Sequence, residues 1–169
     1  HVTQGLKGRI AGILVGGPAE IGLESTIIGG PQPRLLRPGG IPVEAIEAAL
    51  GRPLGTGEAK GPSIAAQGLE APGQLASHYA PEQPLRMDVI VPLPGEVHLG
   101  FGGIRGDVNL SPEGDLREAA ARLFAALREL DTQLMPIAVA PIPQHGLGLA
   151  INDRLRRAAA PRPGAIAGG

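Results

Sequence analysis

Apolar and polar positions form two patterned regions in the chain, separated by a stretch without a sustained period. In the first region, short apolar runs end at glycine- and proline-rich breakers, which is typical of strands joined by tight turns. This pattern predicts three short strands, at 10–14, 25–28 and 34–37. We expect the last two to pair as a hairpin, with Ser25 near the start of one strand and Arg37 at the end of the other. Apolar residues at helical spacing then predict a short helix over 42–50.

The second patterned region starts at Leu85 and alternates apolar strands with amphipathic helices. Apolar runs predict strands at 87–91, 97–101 and 137–140, and a strand or a loop at 106–111. The clearest helix covers 115–130, with Ser111 or Asp115 as the residue that caps its start. A last helix is predicted over 148–160, and we expect its arginines to point mostly outward: Arg154, Arg156 and Arg157. Alternating strands and helices imply a small α/β domain around a mostly parallel sheet.

Residues 53–84 separate these regions and are rich in glycine and proline, which predicts a linker or an extended arm. We therefore divide the chain into three parts, 1–52, 53–84 and 85–169. The arm contains the adjacent pair His78 and Tyr79. We expect residues 161–169 to be disordered.

Composition argues against several classes of function. The net charge is −1 without a run of like charge, so neither a general nucleic-acid binder nor an acidic-membrane binder is expected. The chain has no cysteine, and its four histidines lack metal-ligand spacing, which argues against a cysteine nucleophile and a zinc site. Aromatic residues are 2% of the chain, too few for a base-stacking platform. No apolar run is long enough to span a membrane, and the lack of cysteine suits a cytoplasmic protein.

Residues 22–40 hold a compact set of polar groups: Glu24, Ser25, Thr26 and Arg37. Two hydroxyls beside a carboxylate can contact a ligand, but they also suit an ordinary edge strand. Arg37 precedes Pro-Gly-Gly at a strand end, where a guanidinium either clamps a phosphate or carboxylate or is simply solvated. Neither a Gly-x-Ser-x-Gly elbow nor a common phosphate loop occurs in the sequence, so a serine nucleophile is not indicated.

Two further groups of residues have open interpretations. On an arm that closes over a cleft, His78 and Tyr79 could supply hydrogen bonds and exclude water, or they could anchor the arm to a domain surface. The arginines near the end of the chain could contact an anionic partner or form a solvated helix face: Arg154, Arg156, Arg157 and Arg162.

Five segments occur in series along the chain: GLESTII, LLRPGGI, PGQLASHYAP, LGFGGIRGDVNLSPEGDLREAAARLFAALRELD and IAVAPIPQHGLGLAINDRLRRAAAPR. Their order and spacing closely resemble the two-domain threonylcarbamoyl-AMP synthases, which have a YrdC-like domain followed by a smaller companion domain. The resemblance covers almost the whole chain. It implies that 1–52 is the C-terminal part of a YrdC-like α/β domain and that 53–84 is the linker. Residues 85–169 would then be the companion domain, an α/β sandwich with a mostly parallel sheet.

The resemblance implies a nucleotidyltransferase that combines L-threonine, bicarbonate and ATP, with Mg²⁺, into threonylcarbamoyl-adenylate and pyrophosphate. A separate complex then transfers the threonylcarbamoyl group to tRNA, so direct nucleic-acid binding is not expected of this chain. In the family, the serine of the EST motif and the arginine of the LRPG motif line the substrate cleft, which implies substrate or ATP contacts for Ser25 and Arg37. In the family, the tyrosine of the HYAP segment belongs to the linker that folds over that cleft and approaches the nucleotide, which implies the same for Tyr79. The supporting candidates are Glu24, Thr26 and His78.

The chain also departs from the family pattern. The YrdC-like domain has a long N-terminal portion with Lys-x-Arg and Ser-x-Asn motifs, which supply most phosphate contacts. We expect this chain to begin just after that portion and to be inactive by itself. Where the family usually has Asp before a Gly-Gly-Pro turn, this chain has Val15. The alternative is a non-catalytic regulatory or interaction module, or an incomplete gene product.

Overall fold

The computed structural model of the chain describes residues 6, 8–17, 19–55 and 81–160. The His78–Tyr79 pair and the segment 161–169 lie outside the described residues. The described residues form a first unit, a hairpin followed by a helix, and a second unit, a sheet packed against two helices.

The hairpin of the first unit is antiparallel. Strand β1 covers Ile27–Gly29 and strand β2 covers Arg34–Arg37, with Ile27 opposite Arg37. The connecting turn includes Gly30 at a φ of 92°, a conformation that glycine adopts without a steric penalty. The predicted hairpin is confirmed, and Arg37 lies at its open end, next to the residues that precede β1.

Helix α1 covers Val43–Leu50 and is the short helix that the sequence predicts. It begins after Pro42, which needs no N–H at that position, and ends at Gly51 in the left-handed conformation common at helix ends. None of its residues is fully buried. Its apolar side is therefore only partly covered within the described part of the chain.

The sheet of the second unit has four parallel strands in the order β3–β6–β4–β5. The strands are β3 (Leu85–Arg86), β4 (Val97–Gly100), β5 (Val108–Asn109) and β6 (Ile137–Val139). A parallel sheet requires crossover connections, and the longest described helix lies in the connection from β5 to β6, two strands that β4 separates in the sheet. The predicted α/β class and parallel sheet are confirmed.

Two helices pack on this sheet and on each other: α2 (Leu116–Asp131) contacts β4 and β5, and α3 (Leu147–Ala159) contacts β3. The Asp115 carboxylate caps α2, because its Oδ1 accepts hydrogen bonds from the N–H groups of Arg117 and Glu118 at 2.7 and 2.9 Å. The core between sheet and helices is mainly aliphatic, with Phe101 among its members. Its fully buried members include Leu99, Leu123, Leu130, Ile137, Ile151 and Leu155.

The strand predicted at 10–14 is wrong. These residues are in no strand, and Leu14 is 100% exposed. A strand is stable when its backbone groups pair with a neighbour. Within the described residues, the hairpin pairs with itself and leaves this run without a partner strand.

The strand predicted at 87–91 lies earlier, at Leu85–Arg86. Asp88 has a φ of 59°, which a non-glycine residue rarely adopts and which interrupts an extended strand. The N–H of Val89 still donates to the carbonyl of Val139 at 2.9 Å. The predicted strand therefore exists two residues earlier and is shorter, while Val89 still bonds to β6, the neighbouring strand.

The expectation that the arginines of α3 point outward is wrong for two of the three. Arg156 is exposed, but Arg154 is only 1% exposed, and its guanidinium lies 4.9 Å from the centre of the Phe124 ring. That is a cation–π distance. Arg157 is largely buried and forms an ion pair with Asp153 at 2.7 Å. These two side chains are therefore internal contacts rather than a solvated face.

In the described ranges, no helix has the length and apolar character needed to cross a bilayer.

Candidate functional site

Arg37 contacts the backbone of the other candidate residue, Ser25. Its Nε and Nη2 donate to the Ser25 carbonyl oxygen at 3.2 and 2.9 Å. Arg37 is 9% exposed, whereas Ser25 is exposed. The hairpin register makes this contact possible, because Arg37 lies opposite Ile27. Ile27 follows Ser25 by only two residues. The structure therefore brings together the two residues that the sequence singles out, with the cation buried and the hydroxyl residue at the surface.

The loop after β2 holds the other side of the 24–26 segment. The N–H of Gly40 donates to the carbonyl of Glu24 at 2.8 Å. The Thr26 hydroxyl donates to the carbonyl of Ile41 at 2.7 Å and accepts from its N–H at 3.0 Å. Gly39 lies so close that a Cβ there would be 2.3 Å from the Glu24 carbonyl oxygen. The Pro-Gly-Gly that looks like a strand breaker therefore also provides the space in which this segment lies.

A cluster of charges connects this segment with α3. The Glu24 carboxylate is 4.0 Å from Nη2 of Arg157, and the same nitrogen is 2.7 Å from Oδ2 of Asp153. Burial raises the pKa of Asp153, and the charge of Glu24 adds to that effect, whereas Arg157, Arg156 and Arg37 oppose it. The ion pairs of Arg157 thus connect the 24–26 segment with α3.

Glu44 of α1 makes a second contact with α3, at the other end of that helix. Its Oε1 accepts a hydrogen bond of 3.0 Å from the N–H of Gly146, the N-cap residue. This bond, together with its own N–H and the nearby His145, holds the pKa of Glu44 below its usual range. A carboxylate is favoured there because the N-terminal N–H groups and the helix dipole attract negative charge. The first unit therefore contacts both ends of α3.

Glu44→Gln is expected to lower the free energy of unfolding at neutral pH by about 0.5 kcal/mol, because the helix N-terminus loses an anionic acceptor. The pKa of Glu44 is lowered on folding, so the folded state holds fewer protons than the unfolded state just below the usual glutamate pKa. The stabilisation is therefore present at neutral pH and is lost as the pH falls through the folded-state pKa. Urea unfolding at neutral pH and at about pH 3 checks this.

Wild type and Glu44→Gln should differ at neutral pH and converge in acid. Glu113→Gln, which changes an exposed carboxylate, should match wild type at both pH values. An equal difference between wild type and Glu44→Gln at both pH values would contradict the ionic contact.

The structure places the remaining candidates differently. Glu24 belongs to the charge cluster and the Thr26 hydroxyl is bonded to Ile41, so both support the segment. His78 and Tyr79 lie outside the described residues, and their proposed role stays a prediction. Val15, which stands where the family usually has Asp, is exposed.

Sequence reasoning missed the part that α3 plays in the cluster. A signal was present, because Asp153 precedes Arg157 by four residues, the spacing of an ion pair along a helix. What the sequence did not show is that Glu24, more than a hundred positions earlier, lies beside that pair. Contacts of this kind depend on how the two units pack.

The fold and the cluster define a class of protein: one that combines a parallel α/β unit with a hairpin whose buried arginine bonds the backbone of an exposed serine. A family model described as threonylcarbamoyl-AMP synthase, C-terminal domain, matches residues 41–160. The threonylcarbamoyl-AMP synthase of Bacillus subtilis is 38% identical over 186 residues, covering 96% of this chain and 52% of that protein.

Solved structures agree with this match. The crystal structure of Pyrococcus abyssi Sua5 complexed with L-threonine has a TM-score of 0.69 and 31% identity, covering 94% of this chain and 52% of that one. A variant of the same protein, with a histidine and the adjacent tyrosine both replaced by alanine, has a TM-score of 0.63 and 28% identity, covering 94% of this chain and 49% of that one. This chain belongs to the threonylcarbamoyl-AMP synthase family, whose C-terminal domain it contains, and the resemblance of its motifs is confirmed. It spans about half the length of the curated relatives it matches.

Proposed function

We propose that this chain is the C-terminal portion of an L-threonylcarbamoyladenylate synthase. The whole protein is a cytoplasmic nucleotidyltransferase that forms threonylcarbamoyl-AMP and pyrophosphate from L-threonine, bicarbonate and ATP. The product passes to a complex that transfers the threonylcarbamoyl group to tRNA. Family membership supports this proposal, as does the solved relative that is complexed with L-threonine.

The chemistry sets requirements for the site. The amine of threonine attacks the carbon of bicarbonate with loss of water, which gives a carbamate. A carbamate oxygen then attacks the α-phosphorus of ATP, and pyrophosphate leaves. Because a carbamate decomposes and the mixed anhydride hydrolyses, the site must fix the reacting groups and exclude water.

Mg²⁺ enters this reaction with ATP, as the ion bound to the phosphates. Within the described ranges, no group of three or more acidic or histidine side chains could hold a metal ion. The proposal therefore assigns no metal ligand to these residues.

The observation that carries the proposal is the Arg37 guanidinium on the Ser25 carbonyl, at 2.9 Å. The Arg37 guanidinium thus lies beside a segment of which Ser25 is the exposed residue. We infer that Ser25 contacts the substrate and that the Arg37 charge stabilises an anionic carbamate or phosphate bound there. Glu24 and Thr26 then hold the segment in place.

Tyr79, with His78 beside it, completes the proposed site as the part of the arm that closes over the nucleotide. Closure of such an arm would exclude water from the carbamate and the anhydride. The sequence contains one His-Tyr pair, His78-Tyr79, and a His-Tyr pair is what the P. abyssi variant replaces.

Pyrophosphate release tests the proposal. The full-length gene product is expected to release pyrophosphate from ATP when L-threonine and bicarbonate are both supplied. Omitting either substrate should abolish release. The 169-residue chain alone is expected to release none, because its sequence lacks the Ser-x-Asn motif to which the resemblance assigns phosphate contacts. A non-catalytic module would release none in either form.

A further inference from the structure

The backbone just before Ser25 lies directly on the second unit. Ile21 and Leu23 pack against its hydrophobic core. A Cβ at Gly22 would be 2.8 Å from the carbonyl oxygen of Ala120 in α2, closer than a real side chain tolerates. Glycine at this position therefore lets the two backbones touch. The place of Glu24, two residues later, is set by the second unit as well as by the hairpin.

Arg157 extends this contact to α3. Asp153 precedes Arg157 by one turn, the arrangement in which an acidic residue best supports a basic one, and the two side chains are 2.7 Å apart. Asp153 therefore fixes the guanidinium, which lies 4.0 Å from the Glu24 carboxylate. The side chain of Arg157 is 13% exposed, so water screens these charges less than it would on an open surface.

The 24–26 segment is thus held from two directions. On the hairpin side, Arg37 bonds the Ser25 carbonyl and Gly40 bonds the Glu24 carbonyl. On the other side, Arg157 lies beside the Glu24 side chain. Removing either set of contacts would leave the segment with freedom to shift, and Ser25 would shift with it.

We propose that Arg157 and Asp153 are positioning residues, which act through Glu24 to hold Ser25 where the anionic group of the substrate binds. This inference rests on the proposed function. Neither residue has to touch the substrate. The second unit therefore helps to set the geometry of the site, in addition to any role in covering it.

Steady-state kinetics of the full-length gene product test this. Arg157→Ala is expected to lower kcat/KM for threonine-dependent pyrophosphate release by about tenfold, since small misplacements of a substrate contact are costly. Asp153→Asn should act in the same direction, and Arg157→Lys, which keeps the charge, should recover part of the loss. Adding Glu24→Gln to Arg157→Ala should cost little more, because both changes break one contact.

Arg122→Ala is the matched control, because it removes an exposed i,i+4 ion pair with Glu118 from α2. It should leave the kinetics unchanged. Hydrogen exchange supplies a readout that needs no activity: Arg157→Ala should speed exchange in peptides from 22–40, while β4 and β6 keep wild-type protection. If the wild-type protein proves inactive, the proposed function fails, and exchange still decides whether Arg157 holds the segment. Unchanged exchange in Arg157→Ala, or independent effects of Arg157→Ala and Glu24→Gln, would overturn the inference.

Discussion

Replacing Gly39 with alanine is expected to lower the free energy of unfolding by about 3 kcal/mol, the upper end of the cost of overpacking. The added Cβ would be 2.3 Å from the Glu24 carbonyl oxygen, 2.3 Å from the Thr26 nitrogen and 2.4 Å from the Ser25 carbonyl carbon. All three are backbone atoms, so no side chain can rotate away. The 24–26 segment has to move, and it carries the proposed substrate contact with it.

Urea unfolding and hydrogen exchange of peptides from 22–40 measure the two consequences. The control is Gly103→Ala, because a Cβ at Gly103 meets no atom within 4 Å. It should be neutral or slightly stabilising. Wild-type stability and exchange in Gly39→Ala would show that the loop does not enclose the segment as described.

Arg37→Ala is expected to reduce threonine-dependent pyrophosphate release by the full-length gene product about 100-fold. The variant loses the two hydrogen bonds that the buried Arg37 cation donates to the Ser25 carbonyl. A hydrogen bond to a charged group is worth about 1.5–3 kcal/mol. In the proposed site, the anionic substrate group also loses the positive charge that stabilises it. Because Arg37 is buried, some stability should be lost as well, so rates are compared at a temperature where circular dichroism shows the variant folded.

Arg52→Ala changes an exposed arginine of the same unit and should retain wild-type rates. Arg37→Lys keeps the charge but not the paired N–H donors, so it should fall between wild type and alanine. Wild-type kinetics in a folded Arg37→Ala variant would remove Arg37 from the site.

Short-range patterns in the sequence predict the hairpin and helix α2 correctly. The hairpin follows from two apolar runs around a Gly-Gly-Pro turn, and α2 follows from its apolar stripe and the Asp115 cap. The run at 10–14 is also apolar but forms no strand, because a strand depends on a partner strand that the local sequence does not identify. The position of β3 depends on Asp88, whose left-handed backbone has no reliable signature in the sequence.

In the candidate site too, local motifs could be predicted from the sequence, whereas contacts between distant residues could not. Ser25 and Arg37 could be singled out because they belong to short motifs beside glycine-rich breakers, and the hairpin register then brings them together. Periodicity predicts an outward direction for Arg154 and Arg157, because it treats charge as a sign of exposure. Their partners, Phe124 on α2 and Glu24 on the first unit, come from other elements. Such contacts are fixed by tertiary packing, which the pattern of one helix does not contain.

Incorporation of labelled bicarbonate shows whether the protein forms threonylcarbamoyl-AMP. The full-length gene product is incubated with ATP, L-threonine and ¹³C-bicarbonate, and the nucleotide products are analysed by mass spectrometry. We expect threonylcarbamoyl-AMP that carries the ¹³C label in its carbamoyl carbon, formed together with pyrophosphate. An adenylate of threonine without the label, or no threonine-containing nucleotide at all, would contradict it.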